Sequence, residues 1–191
     1  VGASCCGIVG SEGVSESMKD VAIMTVRGAD ELVVAHVDDI RGHNSYEKSV
    51  ELGKALKAAN PAVTMVYFMA SGIDIADDQC IRGLEDSLGP EVTIFGATSA
   101  DNMRGLKSFQ LVGDQLFQHA AWAVGFADPT LDVVTQATHG FVAVGEPMVV
   151  TASEDNKIVE LDGRPAWEVY TERLGLPASA ACSDTIPVGA L

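Results

Sequence analysis

The chain has 191 residues, with 27 Asp and Glu against 12 Lys and Arg, so its formal net charge is −15 with the histidines neutral. Hydrophobic residues make up 47% of the chain and charged residues 20%, a composition that excludes a disordered protein and leaves ample material for a core. The acidity excludes nucleic acid and anionic membranes as favoured partners, because their phosphates would meet a repelling field.

The first half of the chain predicts an alternation of strands and helices. Short β-branched runs between turn residues are typical of strands, while apolar residues at helical spacing with a cap and a stop indicate helices. We predict strands over residues 21–26, 32–37, 63–69 and 92–95, and helices over residues 44–60 and 77–88. Asn44 is expected to cap the first helix, with Glu47 completing a capping box. In the second helix, Ile81, Leu84 and Leu88 are expected to face the core.

The second half of the chain is richer in strands. We predict strands over residues 108–112, 115–120, 121–126, 131–137, 147–152 and 157–161, followed by a helix over residues 165–174. Gly113 and Asp114 are typical of a hairpin turn, and Pro165 suits the first position of a helix. The complete pattern predicts a mixed α/β (α+β) fold with parallel and antiparallel strands.

An internal similarity divides the chain into two candidate units. The opening VGASC of residues 1–5 resembles FGATS at residues 95–99, and an apolar run follows each about 20 residues later. We therefore predict two related units, residues 1–90 and 91–175. The alternative is that short Gly-Ala-Ser/Thr matches arise by chance.

The segment from Gly96 to Asp101 is the first candidate ligand site. It is predicted to be a turn after a strand, where small residues let backbone N–H groups approach an anion and Thr98 and Ser99 add hydroxyls. The alternative is a tight turn in which glycine supplies a positive φ. Asp101 and Arg104 could bind the amine and carboxylate of a zwitterion, or form a solvated surface pair.

The similar opening segment supplies the other candidates. Gly2, Ser4 and Cys5 correspond to the second turn, and a cleft between two related turns would be a natural ligand site. Cys5 is also a candidate nucleophile, although a packed structural thiol is the simpler interpretation. The cysteines, at positions 5, 6, 80 and 182, lack zinc spacing and are expected to be reduced in the cytoplasm.

Residues 92–170 resemble the N-terminal part of a FIST (F-box and intracellular signal transduction) domain. The similarity rests on IFGATSAD at 94–101, FQ at 109–110, AWAVG at 121–125, MVVTAS at 148–153 and, most specifically, IVELDGRPAWEVY at 158–170. The opening residues 1–7 resemble an earlier glycine-containing turn of the family. The resemblance implies a domain over residues 1–175, with residues 176–191 a linker or the start of a C-terminal FIST domain.

The resemblance also implies a function. FIST domains are sensory modules attached to signalling proteins such as kinases, and they are thought to bind small ligands such as amino acids. We therefore expect a cytoplasmic, non-catalytic sensory domain that binds an amino acid or small carboxylate and acts on a downstream signalling domain or kinase. A homo-oligomer is one candidate assembly. Two alternatives stay open: a haem-binding nitric oxide sensor, and a hydrolase that uses Cys5 or Ser99.

Four histidines, at positions 36, 43, 119 and 139, are the candidate axial ligands for a haem. Covalent c-type attachment is excluded because no C-x-x-C-H motif is present. No metal site is predicted, since the acidic residues near positions 38 and 77 do not follow a calcium-loop pattern.

Overall fold

The structure is a computed structural model that describes residues 1–17, 19–27, 31–102, 106–131, 133–136, 138, 142, 145–154 and 157–181. The chain divides into two compact units, Val1–Thr135 and Gln136–Leu191. The predicted repeat of residues 1–90 and 91–175 stays a prediction.

The described part of the first unit contains nine strands and two α-helices. They are β1 (Gly2–Ala3), β2 (Ile8–Gly10), β3 (Gly13–Ser15), β4 (Leu32–Val37), α1 (Ser45–Ala59), β5 (Met65–Ser71), α2 (Asp77–Leu88), β6 (Thr93–Ser99), β7 (Gln110–Val112), β8 (Gln115–Phe117) and β9 (Ala121–Phe126). The described part of the second unit contains β10 (Val150–Glu154), β11 (Lys157–Leu161), β12 (Arg164–Pro165) and α3 (Ala166–Arg173). The mixture of helices with parallel and antiparallel strands confirms the predicted fold class.

A four-stranded sheet in the order β4-β9-β5-β6 organises the first unit. Strand β9 runs antiparallel to both of its neighbours, whereas β5 and β6 are parallel. It follows that β4, β5 and β6 point in one direction and that their carboxyl ends meet at the same edge. Ligands of open α/β sheets commonly bind at such an edge.

Helices α1 and α2 cover one face of this sheet and form the core with it. Leu52, Leu56 and Leu84 on the helices are fully buried against Val66 and Phe68 of β5. Removing each such side chain from water contributes about 1.5 to 3 kcal/mol. This face therefore supplies most of the apolar burial that holds the sheet and the helices together.

Close approach of the two helices depends on small residues at their contact. A Cβ added at Gly83 of α2 would lie 2.5 Å from the carbonyl oxygen of Tyr46 and 3.0 Å from the Cβ of Ser49, both on α1. A side chain there would push the helices apart. Glycine in mid-helix costs roughly 0.5–1 kcal/mol relative to alanine, and here it allows the tighter packing.

The predicted helices and the buried strand between them are largely confirmed. Helix α2 has the predicted bounds, α1 lies within the predicted range, and β5 overlaps the run predicted at residues 63–69. Two details were wrong. Ile81 is 38% exposed, and Cys80 is the residue of α2 that is buried beside Leu84 and Leu88. Asn44 does not cap α1 with its side chain.

The side chain of Asn44 closes the 3₁₀ turn of residues Gly42–Asn44 instead. Its Oδ1 accepts a hydrogen bond from the backbone N–H of Arg41 at 2.6 Å, and its Nδ2 donates to the carbonyl of Asp39 at 2.9 Å. Asp39 has a φ of 52°, in the left-handed region that Asp tolerates better than most residues. The predicted capping box with Glu47 is therefore replaced by a turn that precedes the helix.

Two predicted strands are wrong. Residues 21–26 form no strand, and Val21, Ile23 and Met24 are 77%, 84% and 80% exposed. The described residues of 131–137 form no strand either. The physical reason is pairing: β9 is the apolar run that occupies the place between β4 and β5, and a β-branched run without a partner strand does not become a strand by itself.

The second unit places its helix one residue later than expected. Pro165 belongs to β12, which pairs with β11, and its ψ of 124° puts it before the helix, so that α3 begins at Ala166. Strands β10 and β11 pair antiparallel as expected of a hairpin, although the first strand begins at Val150 rather than at residue 147.

Candidate functional site

The segment that contains Gly96, Thr98 and Ser99 is a strand, so its prediction as a turn is wrong, whereas anion binding there stays a prediction. These residues belong to β6, whose parallel ladder with β5 continues without a break from Met65↔Thr93 to Ser71↔Ser99. A Cβ at Gly96 would collide with the backbone carbonyl of Phe68. Glycine serves close approach between two strands here, and the sequence pattern alone suggests a turn because glycine is common in turns.

A groove of about 310 Å³ lies along β6 and beside α2. It is mostly apolar, and the described residues that line it are Phe68, Asp77, Ile81, Ile94, Phe95, Gly96, Ala97 and Thr98. Two predicted site residues, Gly96 and Thr98, are therefore part of a concave surface. Ile81 and Ile94 were not predicted as site residues, because sequence spacing does not show that α2 and β6 lie side by side.

Asp77 is the one charged residue among the described residues that line the groove. Its pKa is raised because burial disfavours the carboxylate and because the negative charge of Asp78 lies next to it. A bound cation would stabilise the ionised carboxylate of Asp77. Asp77 was not predicted as a site residue. An acidic residue in the first turn of a helix is common, because the helix dipole favours a negative charge there.

The raised pKa predicts how Asp77 affects stability. The folded chain binds this proton more readily than the unfolded chain, so Asp77 contributes most stability below its ordinary pKa of 3.8 and loses that contribution as the pH rises through the raised value. Asp77→Asn cannot ionise. The free energy of unfolding of the variant, measured with urea between about pH 3 and pH 7, should increase relative to that of the parent as the pH rises. A relative stability that instead falls with pH would mean that the carboxylate is stabilised in the fold.

Ser99 belongs to a buried polar network and not to the groove. It is 1% exposed, and its Oγ donates to the carbonyl of Ala70 at 3.1 Å and lies 2.9 Å from Ser108 Oγ. Ser71 Oγ lies 3.2 Å from the same Ser108 hydroxyl. A hydroxyl that is closed to solvent and fully hydrogen-bonded is inaccessible to a substrate, so Ser99 does not fit the nucleophile considered for a hydrolase.

Gln110 connects this network to the sheet. Its Nε2 donates to Ser99 Oγ at 2.6 Å and lies 3.3 Å from Ser108 Oγ, while its Oε1 accepts from the backbone N–H of Ala120 at 2.9 Å. Gln110 is fully buried. The network joins the carboxyl ends of β5 and β6 to the segment before β9. Its only signal in the sequence is a polar residue in an apolar strand.

Gly2 and Ser4 are held by backbone contacts near the end of β6. The backbone N–H of Ser4 donates to the carbonyl of Phe109 at 2.9 Å, and the backbone carbonyl of Ser4 accepts from the N–H of Ala100 at 2.9 Å. The Oγ of Ser4 accepts from the backbone N–H of Phe109, also at 2.9 Å. The carbonyl of Gly2 accepts from Trp122 Nε1 at 2.9 Å. Both residues use polar groups for structure, and neither is among the described residues that line the groove.

The remaining predicted site residues also lie away from the groove lining. Cys5 is exposed between β1 and β2. The carboxylate of Asp101 accepts hydrogen bonds from the backbone N–H groups of Leu106 at 2.7 Å and Lys107 at 3.0 Å. Arg104 lies outside the described residues, and its predicted pairing with Asp101 stays a prediction.

The described histidines do not line the groove. The ring of His36 packs against Phe117 with centroids 5.3 Å apart, and its Nε2 lies 3.7 Å from Asp38 Oδ1. His43 belongs to the 3₁₀ turn, and the carbonyl of His119 accepts from the N–H of Ile40 at 2.8 Å. His139 lies outside the described residues. A haem needs an axial ligand in an apolar pocket; the described residues that line the groove include no histidine, and haem binding stays a prediction.

The family of the chain follows from a comparison with known protein families. The family model for the FIST N domain matches residues 1–164. Searches of curated proteins and of solved structures found no match. Because the family match extends over most of the sequence, the chain belongs to the FIST family of sensory and signal-transduction domains.

Proposed function

We propose that this domain is a non-catalytic sensor that binds a small ligand, an amino acid or a small carboxylate, in the groove beside β6. One observation carries the proposal: an open, mostly apolar groove of about 310 Å³ runs along the small residues Gly96, Ala97 and Thr98 and has a single described charge at Asp77. Ligand pockets are typically about 300 to 1,000 Å³ with apolar walls and few polar groups. The size suits a small metabolite.

The chemistry of the lining favours an amino acid over a simple carboxylate. An aliphatic side chain could pack on Ile81 and Ile94, and an ammonium group could pair with the carboxylate of Asp77. The hydroxyl of Thr98 and the backbone of β6 offer hydrogen bonds to the ligand carboxylate. A carboxylate without an amine would instead meet the negative charge of Asp77.

Signalling requires that the ligand favour one conformation over another, since a ligand of equal affinity for both shifts nothing. We propose a downstream signalling domain or kinase as the partner that responds to this shift, and a cytoplasmic location. Cys5, Cys6 and Cys80 are free thiols, as expected in a reducing compartment. In the ranges that the structure describes, none of the helices has the length and apolar character required to cross a bilayer.

A thermal-shift screen of the whole chain tests the proposal. The proteinogenic amino acids and a set of small carboxylates are added at millimolar concentration, and a binder should raise Tm. At 100 times Kd the stabilisation is about 2.7 kcal/mol. If no compound in either set raises Tm, the proposed function is wrong.

Ile81→Lys should abolish the rise in Tm. The new ammonium group would lie four residues after Asp77 on α2, where the two charges can pair, and it would occupy the groove. Ile23→Lys is the matched control, because Ile23 is exposed and is not among the described residues that line the groove. A rise in Tm that survives Ile81→Lys would place the ligand elsewhere.

A further inference from the structure

Strand β6 is an open edge of the central sheet. Within the part of the chain that the structure describes, β6 has a strand neighbour on one side only, namely β5. It is seven residues long, so its free side presents a row of backbone N–H and C=O groups. Such a row is a template for pairing with another extended backbone.

Strand β6 lacks the devices within its own sequence that usually protect an edge strand. Natural edges are protected by charged side chains, by proline, by bulges or by being short. The sequence of β6, TIFGATS, contains neither a charged residue nor proline, and its register with β5 has no bulge. The edge is therefore chemically ready to accept a further strand.

The groove lies where the side chains of an added strand would fall. The whole run from Ile94 to Thr98 of β6 lines the groove together with Ile81 of α2. Within this run Ile94, Gly96 and Thr98 lie on the face of the sheet that also carries Phe68, another lining residue. Since the side chains of a strand alternate between its two faces, every second residue of a strand beside β6 would face this lining.

The position of Asp77 gives the added strand a direction. Helix α2 begins shortly after the carboxyl end of β5, and β6 is parallel to β5, so β6 runs toward the end of the groove that holds Asp77. A segment antiparallel to β6 would begin there and bring its N-terminal ammonium to that carboxylate. The net charge of −15 also favours a positively charged end.

We propose that the groove binds a short extended peptide, which adds to β6 as an antiparallel strand with its free N-terminal ammonium at Asp77. This inference rests on the proposed function and narrows its ligand from a free amino acid to a peptide. Backbone hydrogen bonds to β6 give affinity, and the pockets for alternate side chains give specificity, as in other cases of strand addition.

A synthetic library of all tripeptides with free N-termini, added to the whole chain and read by native mass spectrometry, tests this proposal. We expect retained peptides from this library. Two matched libraries serve as controls, one acetylated at the N-terminus and one methylated at both peptide nitrogens. Each should bind at least about tenfold more weakly, because the first loses the charged hydrogen bond to Asp77 and the second loses backbone hydrogen bonds to β6. Equal retention of the methylated library would exclude strand addition.

Two variants test whether Asp77 is the group that binds the N-terminal ammonium of the peptide. Asp77→Asn should lower the affinity of the retained tripeptides about tenfold. Asp78→Asn should change their affinity by less than about twofold, because Asp78 is not among the described residues that line the groove. Equal effects of the two variants would exclude Asp77 as the partner of the ammonium.

The same assay separates this inference from the proposed function. If free amino acids bind and Ile81→Lys abolishes their binding, while tripeptides bind no better, the peptide inference is wrong and the proposed function stands. If neither amino acids nor tripeptides nor small carboxylates bind, both are wrong.

Discussion

Replacing Gln110 with alanine should lower the free energy of unfolding by about 3 kcal/mol, since several buried polar groups lose their partner at once. The backbone N–H of Ala120 would lose its acceptor, and Ser99 would lose its donor. A buried group without a partner costs about 1 to 3 kcal/mol. Urea unfolding followed by circular dichroism measures the loss.

Two further variants isolate the cause of this loss. Gln115→Ala changes the same residue type on the neighbouring strand β8, where the side chain is exposed, and should alter the free energy of unfolding by less than about 0.5 kcal/mol. Gln110→Met preserves most of the volume while removing the hydrogen bonds. If Gln110→Met were as stable as the parent, packing and not the polar network would explain the effect of Gln110→Ala.

Gly96→Ala should destabilise the chain by about 2 to 3 kcal/mol or more, the range expected of overpacking. The added Cβ would collide with the carbonyl of Phe68, a backbone atom that can move only if β5 and β6 separate. The same change would disturb the groove, because both residues line it. Thermal or urea unfolding measures the loss of stability, and the thermal-shift screen measures the loss of affinity for the ligand.

Gly10→Ala is the matched control for this variant. Gly10 also lies in a strand, β2, but a Cβ added there has nothing within 4 Å. Its free energy of unfolding should stay within about 0.5 kcal/mol of the parent. If Gly96→Ala proved equally harmless, β5 and β6 would not approach each other as closely as the structure shows.

Local patterns predict the elements whose signals are local. The bounds of α2 were predicted from a run of helical spacing that ends at Gly89-Pro90, and the continuous apolar run before it predicted the buried strand β5. Residues 21–26 and Ala121–Phe126 look alike in sequence, yet only the second run is a strand. The second run is a strand because it pairs with β4 on one side and β5 on the other. Such long-range pairing has no local signature in the sequence.

The candidate site was predictable only in part for the same reason. Gly96 and Thr98 were predicted as site residues because they belong to a run of small residues after an apolar segment, and both line the groove. The other wall comes from Asp77 and Ile81, which are separated from β6 in sequence and become neighbours only when α2 packs on the sheet. Ser99 was predicted as a ligand residue, but it is buried at the carboxyl end of β6 and hydrogen-bonded to Gln110, and it is not among the described residues that line the groove.

The central claim is that the groove between β6 and α2 binds the ligand of this domain. Titration of the best amino acid or peptide into the ¹⁵N-labelled whole chain, followed by amide chemical shifts, tests it most directly. We predict that the largest shifts occur at Asp77, at Ile81 and along β6 from Ile94 to Thr98. Saturable shifts that leave these residues unchanged and centre on another part of the chain, such as Gly2 to Cys5, would contradict the claim.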